Sequence, residues 1–113
     1  MLQHPTVDQI SLPQVLAVLG DQTRLAILGD LARRGDEPLA CAEFKLLGSK
    51  SNLSYHFAKL REAGVIRVEP CGTKRLISLR KDDLNARFPG LLDSILATAV
   101  TLPPPEKRIE QAV

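Results

Sequence analysis

The sequence predicts a mainly α-helical domain carrying one small β-hairpin, and three observations predict it. Apolar residues recur at helical spacing in several stretches, each bounded by a capping residue or a glycine. One segment instead alternates with period two around the turn Pro70-Cys71-Gly72-Thr73. Cationic residues gather in that hairpin and in the helix before it.

The first helix starts at Ser11, a cap followed by Pro13 in the first turn and Gln14 three residues on. Leu12, Val15, Leu16 and Leu19 form its stripe and Gly20 ends it. Asp21 caps a second helix with Leu25, Leu28, Leu31 and Ala32 on one face, Arg33 and Arg34 in its last turn and Gly35 as the stop. After the break 36–38, a brief helix is expected over Leu39 to Leu47. Gly48 and Ser49 then turn the chain, and Ser49 caps a helix from Lys50 to Glu62 that anchors Leu53, Phe57 and Leu60 in the core. Strands are expected at Val65 to Glu69 and Leu76 to Leu79, a capped turn at Lys81 to Arg87, and a strongly apolar last helix entered through Pro89. The domain reading is an N-terminal arm 1–10, a folded unit 11–100 and a flexible tail 101–113, since the prolines at 103–105 cannot continue a helix.

Composition narrows the function classes. The chain has 113 residues, 44% hydrophobic and 25% charged, which suits one soluble domain and not a disordered polyelectrolyte. Two cysteines exclude a disulfide scaffold and fit a reducing cytoplasm, where the protein is expected to reside. No stretch approaches the roughly 18 consecutive apolar residues of a membrane span, and the start MLQHPTVDQ lacks the features of a signal peptide, so no membrane partner is expected. Aromatic residues are 4% with no Trp, too few for a base-stacking platform. The glycines occur singly at turns, and Ser54 and His56 point apart on their helix, so no catalytic constellation is present and an enzyme is not expected.

The net charge of +2 conceals an asymmetry. Residues 50–81 hold eight cations against Glu62 and Glu69, a net +6, which leaves −4 for the remainder. Ser49, Lys50, Ser51, Asn52, Ser54, Tyr55, His56 and Lys59 give the longer helix a face of donors and acceptors sized for base edges and phosphates, and Thr73, Lys74 and Arg75 add a basic hairpin. A short helix, a tight turn, a longer polar-faced helix and a basic-tipped hairpin follow one another in winged helix-turn-helix order. Double-stranded DNA is the expected partner. The alternative is a winged helix used for protein contacts, against which the lack of large apolar anchors on that face argues.

The run from Asp21 to Leu28, DQTRLAIL, and the run from Ser51 to Val65, SNLSYHFAKLREAGV, resemble the ArsR-type repressors, with similarity reaching Gly72 and Leu79 and covering about Ser11 to Ala99. The resemblance implies a bacterial homodimer that binds a palindromic operator and represses transcription, with the first and last helices at the dimer interface. Leu12, Val15, Leu16, Leu19, Leu91, Leu92, Ile95, Leu96 and Ala99 are the expected interface residues, and the apolar surface of the last helix is wider than so small a monomer is expected to hide. The family's metal-sensing patterns are absent, because Cys41 has no neighbouring thiol and the last helix has no His, so neither metal nor cofactor is expected. Cys41, near a helix N-terminus, and Cys71, beside Lys74 and Arg75, admit a second alternative, a thiol-based redox-responsive repressor. His4 receives no role, and no inducer is legible.

Overall fold

The computed structural model describes residues 2–35 and 37–102. The described residues form helices α1 (Leu12–Leu19), α2 (Gln22–Arg33), α3 (Lys50–Glu62), α4 (Lys81–Arg87) and α5 (Leu91–Ala99), with 3-10 helices at Val7–Gln9 and Cys41–Leu47. Strands β1 (Leu39–Ala40), β2 (Ile66–Cys71) and β3 (Lys74–Leu79) form one antiparallel sheet in the order β1-β3-β2. This is the winged helix-turn-helix architecture: a helical body, the 3-10 helix and α3 as the turn pair, and the β2–β3 hairpin as the wing.

The caps read from sequence hold three helices in place. Ser11 Oγ accepts from the Gln14 N–H, Asp21 Oδ2 from the Arg24 N–H at 3.0 Å, and Ser49 Oγ from the Asn52 N–H, each satisfying an otherwise orphaned donor. Two expectations are corrected. Leu39 and Ala40 do not begin a helix but pair with Ile77 and Leu76; Pro38 before them favours extended backbone, and Leu39 is buried against the sheet. Lys81–Arg87 is a short helix rather than a turn, with Asp82 and Asp83 in its first turn favoured by the helix dipole.

The α3–β2 junction is the most tightly specified part of the chain. The Val65 N–H donates to Leu60 O and the Gly64 N–H to Arg61 O, both at 3.0 Å, closing a Schellman motif around Gly64 at φ +84°. Because Val65 caps the helix, the strand begins one residue later than its apolar pattern suggests. A Cβ on Gly64 would lie 2.6 Å from Cγ1 of Ile10, itself 1% exposed, so N-terminal residues pack against this corner. Within the N-terminal arm read from sequence, the Val68 N–H donates to His4 Nε2 at 3.0 Å, and Arg80 and Arg87 donate to Pro5 O and Ile10 O, so the arm is tied to the body.

The expectation that α5 carries more apolar surface than one chain can hide is also corrected. Val15 and Leu19 of α1 are buried in the single chain, α1 packing on α2 and α3, and Leu92, Leu96 and Ala99 are buried as well because α5 lies closely along α2. There a Cβ on Gly29 would meet Ala99 O at 3.1 Å, and Arg33 donates to Val100 O. Of the nine expected interface residues, only Leu12 and Leu16 are exposed, at 40% and 50%, while Leu91 and Ile95 are half-buried. The expected tail lies outside the described residues from 103 onward.

His56 is a further correction, since it points into the body at 7% exposure instead of lining the outer face of α3. Its Nδ1 is buried without a hydrogen-bond partner, 3.9 Å from Asp21 Oδ2, and Arg24 Nε is in the same position 3.8 Å from that oxygen. The two stretches that carry the family resemblance therefore meet at this point. Burial pushes the His56 imidazole below its ordinary value, Asp21 opposing and Arg24 adding to the shift; His4 is lowered as well, first by burial and then by Arg67, Arg61 and Arg80.

Two outcomes follow from these contacts. In urea unfolding, Gly64→Ala is expected to cost about 3 kcal/mol from left-handed backbone plus crowding on Ile10, and Gly35→Ala, with φ +68° and open space around it, only about 1 kcal/mol; equal losses would show the Ile10 contact to be slack. Both histidines are lowered in the folded state, so their contribution to stability is complete above the unfolded value near 6.5 and is lost as pH falls below it. Unfolding midpoints between about pH 7.5 and pH 5 should therefore drop in the wild type and drop less in His56→Gln; parallel profiles would contradict a neutral buried His56.

Candidate nucleic-acid interface

An apolar stripe fixes which way α3 faces. Leu53, His56, Phe57 and Leu60, at i, i+3, i+4 and i+7, are buried, and Phe57 meets Phe44 of the preceding 3-10 helix edge to face with ring centroids 5.3 Å apart. The opposite arc is left to solvent, where Lys50, Ser51, Asn52, Ser54 and Tyr55 are all exposed. Ser49 is exposed too, but its hydroxyl is committed to the helix cap. The Lys59 ammonium is 5.6 Å from the centroid of the Tyr55 ring, which is 54% exposed, so a cation and a phenol stand together on the outer surface.

The wing supplies a second exposed element. Its strands pair in register from Ile66 with Leu79 to Cys71 with Lys74, leaving Gly72 and Thr73 as a two-residue turn. Gly72 takes φ +63° at the first turn position and Thr73 does not share the positive φ, as a type II′ turn requires. All residues from Glu69 to Arg75 are exposed, so Thr73, Lys74 and Arg75 stand at the tip as the sequence suggests. Pro70 sits on the outer strand, the position a sheet tolerates for a residue without an N–H.

The cations of 50–81 divide into two groups, which a sequence count does not reveal. Lys50, Lys74 and Arg75 are exposed and Lys59 is half-buried. Arg61, Arg67 and Arg80 serve the scaffold: Arg61 donates to Gln3 O, Arg80 is 6% exposed with Nε and Nη2 2.9 Å from Asp83 Oδ2, and Arg67 lies 3.7 Å from the same oxygen. Arg67 stays exposed on β2 despite this contact and Lys81 is half-buried at the start of α4, so the outward field is smaller than the net +6 implies and its exposed members lie on α3 and the wing. Sequence reasoning missed Leu46, 76% exposed on the 3-10 helix, whose place in an expected helix gave no sign of its orientation.

The cysteines stay apart. Cys41 follows β1 and Cys71 ends β2, on opposite sides of β3, so two strand spacings of about 4.8 Å each exceed the roughly 7 Å limit of a disulfide. Both thiols are free. Burial pushes the Cys41 thiol up, with Arg75 and a backbone hydrogen bond partly opposing, which counts against the redox alternative at that residue. Among the described residues no group of three or more His, Cys, Asp or Glu side chains converges as a metal site, and no helix is long and apolar enough to cross a membrane.

Residues 19–69, from the end of α1 into the first wing strand, match the helix-turn-helix domain family. The chain is also 38% identical over 100 residues, spanning 84% of its own length and 95% of the relative's, to YceK, an uncharacterised HTH-type transcriptional regulator of Bacillus subtilis. Agreement over nearly the whole of that relative, joined to a polar-faced α3 beside a basic wing, makes this chain a member of the helix-turn-helix transcriptional regulators, in their winged form.

Proposed function

We propose that the protein regulates transcription by binding double-stranded DNA, with α3 in the major groove and the wing tip on the flanking phosphates. The observation that carries this reading is the exposed arc Ser51, Asn52, Ser54 and Tyr55, polar throughout and held outward by the buried stripe on the other side of the same helix. Membership of a transcriptional regulator family supports it, as does the placement of Lys50, Lys74 and Arg75 in solvent.

In the finer reading the protein is a homodimer on a palindromic operator and acts as a repressor. One winged module covers a short half-site and binds weakly at physiological salt, so a second copy supplies both affinity and symmetry. Leu12 and Leu16 are the exposed apolar residues suited to that contact, with Leu91 and Ile95 beside the core as further candidates. The resemblance to ArsR-type repressors supports repression and the use of the first and last helices.

Selection of duplexes from a random pool, followed by a salt titration, tests the DNA reading: log affinity should fall against log salt by about 0.9 per neutralised phosphate, and a flat response would favour a protein-docking winged helix. Asn52→Ala and Ser54→Ala should each reduce discrimination between sequences by about 1 to 3 kcal/mol, whereas Lys74→Ala should weaken all duplexes alike. In sedimentation, Leu16→Glu should yield a folded monomer that keeps the helical content of the wild type but loses the concentration dependence of its unfolding; a persistent dimer would place the interface elsewhere.

A further inference from the structure

The N-terminal residues before α1 add a second tie between α3 and the wing, beside the α3–β2 corner. Three successive residues accept from three different places: Gln3 O from Arg61 of α3, His4 Nε2 from the Val68 N–H of β2 at 3.0 Å, and Pro5 O at 2.8 Å from Arg80, the residue that leads β3 into α4. Five residues on, Ile10 is sealed against Gly64 and its carbonyl accepts from Arg87, so the segment is anchored at both ends. We propose that residues 3–5 form a pH-sensitive clamp that fixes the wing relative to the recognition helix, with His4 as its positioning residue. The proposal rests on the duplex-binding reading and adds a regulation to that surface.

The chemistry lies in the direction of one hydrogen bond. His4 Nε2 accepts from Val68, which requires a neutral imidazole with its proton on Nδ1. Protonation turns that acceptor into a donor aimed at another donor, and the bond is lost. The charged groups around the ring are Arg67 and Glu69 of β2, Arg61 of α3 and Arg80 ahead of α4; burial first, and then the three guanidiniums, disfavour the imidazolium, and Glu69 opposes them. Asp83 is occupied by Arg80 and Arg67, and Glu62 lines the same open surface pocket as His4 and Arg61. With the clamp released, the wing and α3 lose their fixed relation, and docking both on one duplex costs more conformational entropy.

The sign of the effect separates this from simple electrostatics, since an added positive charge alone strengthens phosphate binding. The test compares the full chain with His4→Gln, whose amide oxygen offers Val68 an acceptor that does not titrate. A fluorescent duplex recovered from a random pool by the wild type at about pH 7.5 is the probe, and exchange of the Val68 amide by NMR is the second readout. Between about pH 7.5 and pH 5.5 the wild type should lose roughly fivefold more affinity than His4→Gln, and the Val68 protection factor, taken relative to the intrinsic exchange rate at each pH, should fall in the wild type alone. Equal losses, a relative gain by the wild type, or a Val68 amide equally protected at both pH values overturns the clamp. Recovery of no duplex defeats the DNA reading instead, and the Val68 exchange then decides the clamp by itself.

Discussion

Everything displayed on the outer surface depends on the sealed corner between α3 and β2. Ala63, Val65 and Ile66 are at most 1% exposed, Gly64 between them holds a left-handed backbone, and the Arg80 N–H bonds back to Val65 O at 3.0 Å. A helix and a hairpin joined by a loose loop would sample many relative poses and lose entropy on meeting a rigid duplex. Here the turn is closed by backbone hydrogen bonds, filled by Ile10 and reinforced by the N-terminal segment, so much of that ordering is complete before any partner arrives.

The same economy governs the charges. A guanidinium carries several donors in a fixed fork and binds carbonyls and carboxylates directionally, whereas an ammonium on a long stem is a mobile point charge. Within 50–81, Arg61 and Arg80 tie elements together, as does Arg67 while staying exposed, and Lys50, Lys74 and Arg75 remain in solvent. Arg61, Arg67 and Arg80 are engaged by Gln3 O, Asp83 and Pro5 O, which leaves Lys50, Lys74 and Arg75 as the exposed cations suited to phosphates.

How much of this was legible in the sequence depends on whether the signal is local. Ser11, Asp21 and Ser49 announce their helices because a cap is made within three residues, and Gly72 announces its turn because the backbone there excludes a side chain. The two-residue strand Leu39–Ala40 was not readable as such, since its pairing with Ile77 and Leu76 spans some forty positions and its own apolar run suits a helix equally well. His56 was misplaced by giving its polarity more weight than its position: three residues after Leu53 and four before Leu60, it falls on the buried stripe. The role of His4 depends on a bond to Val68, 64 residues away, which no local pattern encodes. The width of the α5 face was overestimated because Gly29, which lets α2 approach so closely, lies on another helix.

Pro70 and His4 together determine how the wing behaves toward other copies of itself. Strand β2 forms the rim of the sheet, and since donors alternate along a strand, Val68 and Pro70 belong to the same outward-facing set. One has its N–H taken by an imidazole and the other has none to give. A second hairpin arriving edge-on finds this rim largely stripped of donors, so the protein keeps a projecting, cation-tipped finger in solution without inviting intermolecular sheet growth.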